Sequence, residues 1–206
     1  MTLAIHPILK ESFAIIDSEI GEHDFNPREY AIVRRAIHST ADFEFARLLK
    51  FSPTAIERAI AAIKNGGAIV TDVTMIKQGI TSTAAQTFKN PLISAVEAAS
   101  VALPGKTRTE TGLLKVAKEY PEAIFAIGNA PTALLALCSL IRESSIKPTM
   151  VIGATVGFVS VVESKAVLAE TPVPQIQVEG RKGGSPVTAA IINALITLAW
   201  EEHFPN

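Results

Sequence analysis

Between residues 68 and 202 the chain alternates short apolar runs with longer helical stretches, and that rhythm restricts it to few folds. The runs are AIVTD (68–72), AIFAI (123–127), TMVIG (149–153) and QIQVE (175–179). Apolar periodicity predicts helices over 107–119, 131–144, 163–169 and 185–202. Strand, helix, strand, helix is the pattern of a parallel sheet covered on both faces, because each crossover returns over the sheet as a helix. The first third is helical instead. Ile8, Leu9, Phe13, Ile16 and Ile20 fall close to helical spacing. Asn26-Pro27-Arg28-Glu29 combines a cap, a first-turn proline and an acid three beyond the cap, predicting a helix to about Ser39. Ser52-Pro53 repeats the device for a helix stopped at Gly66-Gly67. Residues 80–106 read as one more strand and a long loop.

These elements predict an α/β protein: a three-layer α/β/α, flavodoxin-like, mostly parallel sheet with an N-terminal helical segment, in one domain over 1–206. With 48% hydrophobic and 19% charged residues, long disordered segments are not expected. The formal net charge of −1 gives no basic excess, so nucleic acid is not an expected partner and an anionic ligand needs local groups to hold it. The single cysteine, Cys138, lies in the apolar run LLALCSLI and reads as a core thiol. One cysteine allows neither an internal disulfide nor a zinc cluster, which suits a reducing compartment. No pair of histidines has metal-ligand spacing, so no metal site made by the protein is expected. The opening MTLAIHPILKES lacks a secretory pattern, and the longest apolar run, 133–141, is too short to cross a membrane. A soluble, cytoplasmic protein is the expectation.

Three glycine-bearing loops follow predicted strands: AIGNAPTALL (126–135), VIGATVGFVSVVESK (151–165) and VEGRKGGSPVTAAI (178–191). Ligands of open parallel sheets bind beyond the carboxyl ends of the strands, so three such loops imply a wide pocket for a large, acid-bearing small molecule. In the last loop Gly183 and Gly184 permit close backbone approach, Arg181 can fork onto a carboxylate, and Ser185-Pro186 opens the final helix. Asn129 either contacts a ligand at the pocket mouth or only caps the next helix. Gly157 would bare its backbone there, with Phe158 either beside it or in the core. Arg108, in KTRTETG where Thr107 or Thr109 can cap a helix, is an anion contact or a solvated arginine. His38, near the end of its helix with Arg34 one turn back, is a general acid or a histidine bonded at a helix end. The helix end favours its charged form and Arg34 opposes it. His6, His23 and His203 read as surface or terminal. No GxxxxGK[ST] or GxGxxG occurs, which argues against a nucleotide site.

In order along the chain, ESFAIID (11–17), VRRAIHSTADFEF (33–45), TDVTMIKQGI (71–80), KTRTETG, AIGNAPTAL, VGFVSVVESK and GRKGGSPVTAA strongly resemble the precorrin-8X methylmutase (cobalt-precorrin-8 methylmutase) family. The resemblance spans nearly the whole chain and is weakest at 81–105. It implies an isomerase of cobalamin biosynthesis that moves a methyl group from C11 to C12 of a corrin precursor, giving hydrogenobyrinate or cobyrinate without a cofactor. It also implies a homodimer with sites near the interface, His38 as the catalytic acid, Ser12 as a substrate contact, and binding by Arg108 and the GRKGGS loop. A corrinoid-binding or channelling protein of the same fold with little turnover is the alternative. An unrelated enzyme acting on a phosphorylated metabolite is disfavoured by the missing phosphate motifs.

Overall fold

The computed structural model describes residues 6–205; residues 1–5, on which part of the leader reading rests, lie outside them. Six strands form one sheet: β1 (Leu49–Phe51), β2 (Ile69–Thr71), β3 (Leu92–Ser94), β4 (Ile124–Ile127), β5 (Met150–Gly153) and β6 (Gln175–Val178). Their spatial order is β1-β6-β5-β4-β2-β3, with every pair parallel except β1 against β6. Without β1, the five parallel strands run second, first, third, fourth, fifth in chain order. That is the flavodoxin arrangement, whose direction of winding reverses between the first and third strands, here β2 and β4.

The helices are α1 (Pro7–Glu19), α2 (Pro27–Thr40), the short α3 (Phe45–Leu48), α4 (Ala55–Lys64), α5 (Thr74–Gln86), α6 (Arg108–Glu119), α7 (Pro131–Arg142), α8 (Val161–Ala169) and α9 (Ser185–His203). Alternation along the strands sends side chains to two cores. Ile124, Ala126, Met150 and Ile152 pack with α2, α4, α5 and α9, whereas Phe125, Ile127 and Val151 pack with α6, α7 and α8. Burial on both faces is why these strands read as unbroken apolar runs in the sequence. Each fully buried Ile, Leu or Phe contributes about 1.5–3 kcal/mol. Cys138 is buried in the second core, as expected.

Several local expectations hold in detail. Asn26 and Glu29 form a full capping box, and Thr107 caps α6 by accepting the N–H of Glu110 at 3.1 Å. Others need correction. Thr74–Gln86 is a helix, so residues 80–86 are neither strand nor loop, and the further strand expected in 80–106 is β3. Ser52 does not cap α4, whose preceding residue Thr54 has left-handed backbone and offers no side-chain cap. The Ser52 hydroxyl instead accepts the Gln175 N–H at 2.7 Å and ties β1 to β6. Pro131 begins α7, but Asn129 is not its cap; Ala130 occupies that position. Ser185 is the first residue of α9, with Gly184 as the cap, and it makes no capping bond. Among the described residues no helix is long and apolar enough to cross a membrane.

Candidate active site

The reversal point between β2 and β4 is built around Asp72, which follows β2. Its carboxylate is fully buried and accepts the N–H groups of Gly128, Asn129 and Ala130 at 3.1, 2.7 and 2.8 Å. Ala130 has no side-chain acceptor, so Asp72 caps α7 from the neighbouring strand. Burial pushes the Asp72 carboxyl up, and the amide donors pull against that shift. With these N–H groups taken, only the side chain of the exposed Asn129 is left to meet a ligand from this loop. Sequence reasoning missed Asp72, although an aspartate closing an apolar run at a strand end was the available signal.

The other two loops interlock beyond β5 and β6. Gly157 N–H donates to the Arg181 carbonyl at 3.2 Å, and Gly184 N–H to the Ala154 carbonyl at 2.7 Å. Gly183 has φ +152°, and a Cβ there would lie 2.2 Å from the Ala154 carbonyl oxygen, so only glycine fits. The exposed Arg181 guanidinium stands 5.7 Å from the Phe158 ring centroid. Phe158 is not core: it is 85% exposed and its neighbour Val159 is 83% exposed. Lys182 pairs with Asp42 and Glu44, which binds the loop to the turn just after α2. The mutual hydrogen bonds hold the Lys182 ammonium above its ordinary range.

His38 lies in the last turn of α2, exposed at this same end of the sheet. Its ring meets Phe13 of α1 edge-on, with centroids 5.6 Å apart. Partial burial, then the charge of Arg35, push the imidazole below its ordinary value, so the helix end does not win. The opposing arginine is Arg35 and not Arg34, whose guanidinium pairs with Asp17 at 3.0 Å and covers Phe13 at 4.3 Å. Removing the positive charge with Arg35→Met is expected to raise the His38 pKa, read from the imidazole resonances in an NMR titration. An unmoved or lowered value would show that Arg35 does not act on the ring.

Ser12, next to Phe13, is half-buried and donates its hydroxyl to the Ile8 carbonyl at 2.9 Å, leaving its lone pairs for another donor. Arg108 is exposed at the start of α6, where Thr107 and Thr132 share a 2.9 Å hydroxyl bond that joins the starts of α6 and α7. The predicted residues therefore fall into two groups at one sheet edge. His38, Ser12, Gly157, Arg181, Gly183, Gly184 and Ser185 gather toward the α2 and α9 side; Arg108 and Asn129 gather at the starts of α6 and α7. His38 and Arg108 stand on helices that cover opposite faces of the sheet. His6 caps α1, His23 stacks on Tyr30 and His203 packs on Phe88, so none joins the site.

Fold and site together define a flavodoxin-like α/β protein with an open, cationic, partly apolar rim and one exposed imidazole at the carboxyl ends of its strands. Residues 7–198 match the family model described as precorrin-8X methylmutase. A cobalt-precorrin-8 methylmutase of Synechocystis sp. is 52% identical over 96% of this chain and 97% of its own length. One from Priestia megaterium is 43% identical, covering 97% and 90%. A crystal structure of precorrin-8x methyl mutase from Thermus thermophilus superposes with a TM-score of 0.87 at 42% identity, over 97% of this chain and all of that one. The chain belongs to the precorrin-8X methylmutase family, enzymes of cobalamin biosynthesis that shift a methyl group from C11 to C12 of their substrate.

Proposed function

We propose that this chain carries out that isomerisation across the strand ends, with His38 as the acid and Ser12, Arg108, Asn129, Gly157, Arg181 and the Gly183-Gly184-Ser185 segment as substrate contacts. The observation that carries the reading is the exposed His38 imidazole in the last turn of α2, with the loop that bears Arg181 tied by Lys182 to the turn just after that helix. The C11–methyl bond breaks as the C12–methyl bond forms within one molecule, so atoms balance without a co-reactant. Such a shift asks the protein for little covalent chemistry. It needs the macrocycle held in one shape and a proton donor where its conjugation rearranges. Peripheral carboxylates of the substrate suit Arg108 and Arg181, and its ring faces suit the exposed apolar side chains at the rim.

A cavity of about 210 Å³, lined by Phe13, Arg34, Arg35, Gln86 and Glu201, is too small for a tetrapyrrole-sized ligand. The rim itself is open, and Met75, Val101, Leu103, Phe158 and Val159 are exposed in segments that follow parallel strands. Both facts favour a homodimer in which a second copy closes the cleft and the two residue groups meet across it. The names of the two relatives above favour the cobalt-bearing precursor as the physiological substrate.

Purified protein mixed with cobalt-precorrin-8 at one site per hundred or more substrate molecules is expected to convert all of it, followed by the visible absorption change. A change that stops at one equivalent would instead mark a corrinoid-binding or channelling protein. In the same assay Arg181→Ala is expected to raise KM roughly tenfold, the loss of about one charge-assisted contact. An unchanged KM would remove Arg181 from the binding surface.

A further inference from the structure

Lys165 of α8 is only 3% exposed, and among the described residues no carboxylate pairs with it. Its ammonium donates to the carbonyls of Gly180 and Lys182 at 2.8 and 2.7 Å. The carbonyl between them, that of Arg181, is taken by Gly157 N–H. Three consecutive carbonyls are thus drawn inward. The N–H groups of Arg181, Lys182 and Gly183 meet no acceptor among the described residues, although this stretch of chain is exposed or half-exposed. Successive N–H groups left free in this way can turn toward an anion, and the Lys165 ammonium lies on the carbonyl side of the same segment.

We infer that Lys165 is a positioning residue for substrate binding: from beneath the 180–184 loop it holds the backbone so that Arg181 and the free N–H groups face a substrate carboxylate. This rests on the reading of that loop as a corrinoid-binding element. The arrangement is hard to explain by stability. Burial pushes the Lys165 ammonium down to about 8, so below that pH its charged form counts against the folded state. An apolar group of similar length would remove that cost but leave the Gly180 and Lys182 carbonyls without their donor, so the two effects on stability oppose each other. The benefit therefore lies in the loop. The Lys182 side chain fixes the same segment to Asp42 and Glu44 in the turn after α2, the helix that carries His38 in its last turn.

Lys165→Met is the direct test, with Lys165→Gln as a partner that keeps donors for both carbonyls and drops the charge. Three measurements on the full-length protein decide the matter: melting temperature, amide hydrogen exchange of residues 180–184 without ligand, and kcat and KM with cobalt-precorrin-8. Lys165→Met is expected to melt close to the wild-type temperature and to exchange the loop amides at least tenfold faster. Its KM should rise tenfold or more with kcat within about twofold, and Lys165→Gln should fall between the two. Wild-type KM and exchange in Lys165→Met would overturn the inference. So would a parallel fall of melting temperature and kcat with KM unmoved in both variants, which would show only a structural role. Absence of any absorption change when wild-type protein is titrated with cobyrinate would sink the reading of the site itself, while exchange in the ligand-free loop would still judge Lys165.

Discussion

Replacing His38 with alanine is expected to lower kcat by roughly 10²- to 10⁴-fold while the protein stays folded. The size follows from what a positioned acid contributes when charge moves in the transition state. The fold should survive because the ring is exposed in the last helical turn, where it meets Phe13 edge-on. The pH dependence sharpens the expectation. In the free protein the imidazole is held below its ordinary value by partial burial and by Arg35, so kcat/KM should fall as pH rises through that lowered value. A bound polycarboxylate places negative charge near the ring and favours the imidazolium, so the corresponding limb of kcat should lie at higher pH. His38→Ala should lose both limbs along with the rate. Wild-type turnover in His38→Ala would remove this side chain from the chemistry. A rate loss accompanied by a large fall in melting temperature would point to packing instead.

The parallel core was legible because its strands are buried on both faces and bounded by glycine, aspartate or a helix cap. The stretches read as AIFAI and TMVIG differ from β4 and β5 by one residue at one end. What escaped had weak local signals. β1 is three residues, LKF, too short for alternation to show, and it exists because Ser52 and the backbone of Gln175 clasp it to β6. α5 buries Ile76, Ile80 and Ala84 four apart, but its other positions are rich in threonine, serine and glutamine and it contains Gly79. That glycine is explained only by tertiary contact, since a Cβ there would come within 3.0 Å of the Ala189 methyl on α9. The site was legible as residue types in loops, and not as a geometry. That Arg35 and not Arg34 acts on His38 depends on Asp17, seventeen residues away in sequence, capturing Arg34.

Asp72 produces the second large effect. Asp72→Ala is expected to destabilise the protein by about 3 kcal/mol, since three N–H groups lose a charged acceptor that is itself fully buried. For a chain of this size that corresponds to a fall of roughly 6–12 °C in melting temperature. The cap position of α7 cannot take over, because Ala130 has no side-chain acceptor. Asp72→Asn should cost less, since its one carbonyl oxygen still accepts while its amide group faces a donor. The functional consequence follows from the same bonds. Asn129 and the start of α7 are aimed by Asp72, and Thr132 in that first turn is bonded to Thr107 beside Arg108. Asp72→Asn measured well below its melting temperature should therefore show a raised KM, even though Asp72 is buried away from any ligand. Thermal unfolding of both variants within 2 °C of wild type would show that α7 does not depend on this carboxylate, and the account of how the strand ends are organised would fall with it.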